Sequence, residues 1–248
     1  MRESDHTLEQ DYSMRHRIFY NPLQFIFTLI LGAILAFSVS ILFFGIASTA
    51  FARIGFSWTD AFLLLFLSLI GSHVNIPLTT IETNNPIDKQ KYVKAFGISY
   101  RVPFKQSFRT KTTIAANMGG AIIPTMVAFY LLTIFPDALT YCISATIFVT
   151  VVTKLVARPV KGVGIVSPAL VPPLSAAIIS TIVIAAANAH PDLLFATAYI
   201  SGTMGTLIGA DLLNLRSITK LGAPVVSIGG AGTFDGIFLA GVLAVLLV

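Results

Sequence analysis

The chain has 248 residues, of which 55% are hydrophobic and 11% charged, with a mean hydropathy of +0.84. The apolar share is above, and the charged share far below, that of a water-soluble domain, which argues against a soluble enzyme or binding module. The net charge of +5 and pI near 9.4 do not point to nucleic acid, because the basic residues fall between apolar blocks, where anionic headgroups meet them.

The apolar residues come in blocks of about 20, the number a helix needs to cross roughly 30 Å of hydrocarbon. The predicted fold class is therefore all-α, a polytopic transmembrane bundle of about seven spans. It forms one membrane domain over 21–248 behind an N-terminal tail at 1–20.

Asn21-Pro22 supplies a cap and a first-turn proline, so span 1 is predicted over 22–47. This block is longer than the apolar core of a signal peptide, and Ala50-Phe51-Ala52 is read as retained chain, not as a cleavage site. Span 2 covers 58–77, opened by the interfacial Trp58 and closed where Ser72-His73-Val74-Asn75-Ile76-Pro77 breaks the helix.

A polar stretch at 79–111 follows, predicted as a basic cytoplasmic loop. Seven basic residues lie between Lys89 and Lys111, with Tyr92, Phe96, Tyr100, Phe104 and Phe108 at every fourth position. That spacing suits either an amphipathic stretch on anionic lipid headgroups at 89–111 or a plain positive loop, and Gly97 and Pro103 interrupt any single helix.

Spans 3 to 6 are predicted over 112–133, 138–156, 167–188 and 193–213, with Pro124, Pro168, Pro172 and Pro173 marking kinks or ends. Span 7 lies within 224–248. Fifteen of the sixteen Lys and Arg residues then fall on one side of the membrane, which makes the N-terminus cytoplasmic and the C-terminus external, in the cell membrane. The single cysteine, Cys142, lies within span 4, so an internal disulfide is impossible.

An ionisable group in hydrocarbon costs about 2.5 to 3.5 kcal/mol, so each is a candidate for function. Asp211, after Gly209-Ala210 near the cytoplasmic end of span 6, and Asp235, in Gly230-Ala231-Gly232-Thr233-Phe234-Asp235-Gly236 of span 7, lie on consecutive antiparallel spans. Asp211 sits about 7.5 Å below the cytoplasmic boundary, whereas a straight helix from Pro224 carries Asp235 about 16 Å deep. The two meet only if span 7 has a broken or re-entrant start, with 224–230 extended and the helix beginning near Ala231.

A pair of carboxyls in a dry site shares a proton, so that one acts as acid while the other activates water. The competing roles are a snorkelling or capping Asp211 with an Asp235 bonded to a neighbouring hydroxyl or amide, an ion or small-solute transport site, or a non-enzymatic membrane scaffold. Asn75, Asn117, Asn188 and Asn214 are open to lining a substrate path or to bonding between helices. Gly119-Gly120 and Gly202 suit close helix contact.

Through Gly71-Ser72-His73-Val74-Asn75-Ile76-Pro77, Asn117-Met118-Gly119-Gly120 and the Gly230–Gly236 run, the whole chain resembles an uncharacterised prokaryotic family of multispanning membrane proteins, known as a domain of unknown function. Its C-terminal part is similar to presenilin-type intramembrane aspartyl proteases, which carry one aspartate on an inward span and the next on the following outward span. That resemblance implies Asp211 and Asp235 as catalytic, a membrane peptide as substrate and the Pro168-Ala169-Leu170 turn as a substrate element. Gly209, Gly230, Gly232 and Asn117 then line the substrate. The protease Gly-x-Gly-Asp is not reproduced, and Pro-Ala-Leu precedes both aspartates here instead of following them.

No cofactor or metal is predicted. His73 and His190 fall on opposite faces without a His-Glu-x-x-His, and Ser201-Gly202 has no histidine placed as a base.

Overall fold

The computed structural model describes residues 22–95, 98–160, 164–215, 217, 225–230 and 236–248, with the backbone alone for Pro22, 83–95, 98–110 and Gly164. By contacts the chain divides into two units, Met1–Phe43 and Phe44–Val248.

Helix α1, Pro22–Arg53, has no charged residue before Arg53. Residues 23–42, in the first unit, are exposed throughout. The hydroxyls of Thr28, Ser38 and Ser40 there donate to the carbonyls four residues back at 2.8 to 2.9 Å. In an apolar surround a helix's own backbone is the nearest acceptor.

The second unit holds the rest of α1, where Ala47, Ala50 and Phe51 are buried. Helix α2, Trp58–Gly71, starts at Ser57, whose Oγ accepts from the Asp60 amide (3.2 Å) and donates to its Oδ2 (2.6 Å), a reciprocal cap. Three tight backbone bonds, Ser72 N to Ser68 O, His73 N to Ile70 O and Val74 N to Gly71 O, then end the helix where Ser72 to Pro77 predict a break.

Beyond the break the fold departs from an all-α bundle. Strands β1, Asn75–Ala95, and β2, Ile98–Asn117, pair antiparallel from Asn75 opposite Asn117 to Ala95 opposite Ile98, with a register shift between Pro77 and Thr79. A proline has no N–H for the ladder, which accounts for an irregularity there. The stretch predicted as a loop over 79–111 is thus most of a hairpin, and span 3 opens as strand, not helix.

A π-turn, Met118–Ile122, converts β2 into helix α3, Ile123–Ile134, with Pro124 in its first turn. A 3-10 turn at Pro136–Ala138 leads to α4, Leu139–Val156. A small hairpin follows, β3 (Arg158–Val160) with β4 (Gly164–Val166). Helix α5, Val171–Ala186, holds Pro172 and Pro173 in its first turn, where a missing N–H costs nothing.

Helix α6, Leu193–Thr206, runs on through a π-turn at Leu207–Asp211 and a 3-10 turn at Leu212–Asn214. Strand β5, Val225–Ile228, pairs parallel with Thr113–Ala116, and α7, Gly236–Leu247, is the last helix.

Helix α6 lies at the centre of the second unit, with ten of its residues buried. Its Tyr199 ring centroid lies 6.0 Å from that of Phe51, and Phe51 lies 6.3 Å from Phe238. Small residues let the helices close: a Cβ at Gly202 would stand 2.7 Å from Ala240 O, and one at Gly205 2.6 Å from Val149 Cγ1. Arg53 donates to Val245 O (3.1 Å) at the C-terminal end of α7, where the helix dipole favours a cation.

Among the described residues, three helical stretches are long and apolar enough to cross a membrane: Leu23–Arg53, Pro136–Val156 and Leu193–Asn214. Four shorter apolar ones accompany them, Trp58–Gly71, Met118–Ile134, Val171–Ala186 and Gly236–Leu247.

Candidate functional site

The end of α2, the paired ends of β1 and β2, the π-turn and β5 converge on a group of polar side chains. Asn117 is buried at 1% exposure. Its Nδ2 donates to Ser72 O (2.7 Å) and Asn75 Oδ1 (3.0 Å), and its Oδ1 accepts from the Gly120 amide (2.8 Å). Asn75 Oδ1 also accepts from Ser227 Oγ of β5. One amide therefore ties the broken end of α2 to the start of α3, and a second ties the hairpin to β5. Saturated pairing of this kind is what a buried amide needs.

Glycine permits the approach. A Cβ at Gly119 would collide with Ser68 O, whose own hydroxyl donates to Gly119 O (2.5 Å). Gly229, just past β5, has φ +69°, and a Cβ there would lie 2.7 Å from Ala121 Cβ.

Asp211 closes the group from the other side. It is half-buried at the last position of the π-turn after α6, and its Oδ2 accepts from the Gly229 amide (3.1 Å). A carboxylate near a helix C-terminus opposes the helix dipole, and a backbone N–H aimed at it offsets part of that cost. Among the described residues, the cation in this region is Lys154 of α4, whose Nζ bonds Leu213 O (3.0 Å) and Asn214 Oδ1, while Asn214 Nδ2 returns to Ala210 O (2.7 Å). Lysine and amide together hold the terminal carbonyls of the α6 segment.

The other predicted site residues are spread more widely. Pro168, Ala169 and Leu170 form the exposed turn that opens α5, with Val171 N on Pro168 O (3.1 Å). Gly209 lies against α4, where a Cβ would come 2.6 Å from Thr150 O. Gly230 is exposed beside Ser227. Gly232 and Asp235 lie outside the described residues, and the pairing of Asp211 with Asp235 lies outside them with it. Ser201 shares a hydrogen bond with Ser180 of α5 (3.0 Å). Exposed His190 pairs with Asp192 (3.1 Å), and among the described residues no three His, Cys, Asp or Glu side chains group to hold a metal.

Ser227 is the member that sequence reasoning passes over. A serine in Val225-Val226-Ser227-Ile228 is unremarked until β5 is laid in register, which sets it across from Ala115, two residues from Asn117.

These contacts bring together the Gly71–Pro77, Asn117–Gly120 and Gly229–Gly230 stretches. A family profile described as "Protein of unknown function (DUF1614)" matches residues 69–247, well over half of the chain. The chain belongs to the DUF1614 family. No curated protein and no solved structure matches it. The DUF1614 region starts at the last turn of α2 and contains Asn75, Asn117, Asp211 and Ser227, leaving only Ser68 of this polar group outside.

Proposed function

We propose that this DUF1614 chain is a multi-pass protein of the cell membrane that moves a proton, a small cation or a small solute through a site built around Asp211. The observation that carries the reading is the bond from the Gly229 amide to Asp211 Oδ2, which sets an acidic group where two interrupted elements meet. Non-helical backbone among apolar helices is tolerated where protein buries it or it lines a watered cavity, and transporters place their sites at such breaks.

In this reading all seven of the described apolar helices are spans within one membrane domain over 21–248. Helix α7, with 12 residues, is about 18 Å long, so a crossing of roughly 30 Å draws on the extended β5 as well. The strong one-sidedness of the basic residues supports a cytoplasmic N-terminus and an external C-terminus. The basic 89–111 stretch then faces anionic headgroups on the cytoplasmic side.

The test is ion flux into vesicles reconstituted with the full chain. Asp211→Asn keeps the shape of the site and is expected to abolish flux; a variant that moves ions as fast as the wild type overturns the reading.

The same bond favours a second reading. Gly229 is six residues before Asp235, so the segment bearing the second aspartate starts at the first. An intramembrane aspartyl hydrolase would use Asp211 and Asp235 as acid and base on a membrane peptide, with Pro168, Ala169, Leu170, Gly209, Gly230, Gly232 and Asn117 around the substrate. Under it, a fluorogenic transmembrane peptide is cleaved by the wild type and by neither Asp211→Asn nor Asp235→Asn.

A further inference from the structure

Among the described residues, four buried side-chain hydroxyls make no hydrogen bond of ordinary geometry: Thr153, Tyr199, Thr203 and Thr206, with those of Tyr199 and Thr203 close enough to interact with each other. They are exposed by 0%, 1%, 0% and 3% respectively. Leaving such a group unpaired costs about 1 to 3 kcal/mol, so four in one bundle call for an explanation.

Helix geometry does not supply it. Thr28, Ser38, Ser40, Ser144 and Thr181 each donate to the carbonyl four residues back, at 2.8 to 2.9 Å. The three threonines have the same opportunity and do not take it, and the phenol of Tyr199, carried away from its own helix by the ring, depends on a neighbour.

Their placement is not scattered. Tyr199, Thr203 and Thr206 follow one another at i, i+4 and i+7, along one face of α6. Tyr199 and Thr203 both converge on Gly241 of α7, where an added Cβ would collide with Thr203 Oγ1 and come 3.1 Å from Tyr199 Cε2. Thr153 joins from α4 at Gly209, whose Cβ would stand 2.9 Å from Thr153 Cβ. In the π-turn the bonding step is five residues, so Asp211 succeeds Thr206 on that face.

We infer that Tyr199, Thr203 and Thr206, with Thr153 beside them, line a proton relay that runs along α6 to the carboxylate of Asp211. The inference rests on the transport reading and names its cargo.

A hydroxyl both donates and accepts, which is what a relay member must do. Residues four apart on a helix are about 6 Å apart along its axis, the span of two hydrogen bonds of about 2.8 Å through one water. A proton reaching one oxygen forms an O–H bond there as that oxygen's own O–H bond breaks toward the next water. Each hydroxyl ends as it began, and Asp211 gains the proton until it is released on the far side. A metal cation fits less well. It needs several oxygens gathered at one point, whereas Tyr199 and Thr206 are strung over about 10 Å of helix axis.

The test is proton uptake in vesicles of the full chain, read by an internal pH dye under an imposed membrane potential, with sodium and potassium uptake measured in parallel. Thr203→Val and Thr206→Val keep the volume and remove the oxygen; Tyr199→Phe does the same for the phenol. Each is expected to slow proton uptake by about tenfold or more, the equivalent of one lost hydrogen-bonded link. Thr203→Ser restores an oxygen and is expected to restore the rate, which a purely packing role would not require.

Proton uptake unchanged in all three oxygen-deleting variants, but lost in Asp211→Asn, overturns the relay and leaves the transport reading standing. Uptake of sodium or potassium without protons does the same. Vesicles that move no ion at all overturn the relay together with the ion-transport form of that reading.

Discussion

Helices α1 and α6 both belong to stretches long and apolar enough to cross a membrane, yet they treat their hydroxyls in opposite ways. Residues 23–42 of α1 are exposed, and Thr28, Ser38 and Ser40 fold back onto their own helix. Helix α6 is mostly buried, and the hydroxyls of its Tyr199, Thr203 and Thr206 make no hydrogen bond of ordinary geometry. The polar group is self-contained in the first and held available in the second. Length and apolarity qualify both helices to cross a membrane; the fate of their few oxygens is what tells them apart in kind.

Substitutions matched between the exposed helix and the buried bundle put that contrast under load. The largest effect is expected at the polar crossing. Asn117→Leu strips partners from Ser72 O, Asn75 Oδ1 and the Gly120 amide together, and is expected to destabilise by about 3 kcal/mol or more. Unfolding in mild detergent measures it. A loss near zero would mean that the amide is solvated and the crossing open.

Next comes a single added methyl in each helix. Gly202→Ala drives a Cβ to 2.7 Å from Ala240 O, and the helices must part at a cost of about 2 kcal/mol. Gly32→Ala has nothing within 4 Å and is expected to gain about 0.5 to 1 kcal/mol from helix propensity alone. Equal effects at the two positions would erase the distinction. Lys154→Met, which frees Leu213 O and Asn214 Oδ1 at the more exposed end of the α6 segment, is expected to cost about 1 kcal/mol.

Much of this architecture is legible in the sequence, and the gaps have physical reasons. Apolar length alone marks α1, α4 and α6, and the prolines stand where α3 and α5 begin. The break after Gly71 follows from the polar run Ser72-His73-Val74-Asn75 ahead of Pro77. The hairpin is not legible, because an aromatic at every fourth position from Tyr92 to Phe108 fits a strand face as well as a helix stripe. Only pairing between distant residues decides.

The candidate site was half readable for the same reason. Asp211 stands out as a lone charge in an apolar block, and Asn117 as an amide open to two roles. That Asn117 bonds to Ser72, Asn75 and Gly120, and that Gly229 meets Asp211, depends on register and on a π-turn that no local pattern announces. The hydroxyls of α6 were visible as Tyr199-x-x-x-Thr203-x-x-Thr206, yet threonine is common in membrane helices and its spacing alone does not say that it lacks a partner.

The smallest expected effect is the most diagnostic for α1. Ser38→Ala and Ser40→Ala each remove one bond and both of its ends at once, because the carbonyls of Ile34 and Ala36 keep their helical N–H partners. Each is expected to shift stability by no more than about 0.5 kcal/mol, and the two together by their sum, as independent surface changes do. A larger or non-additive loss would reveal a partner for this stretch of α1, and the exposed helix would then belong on the same side of the comparison as α6.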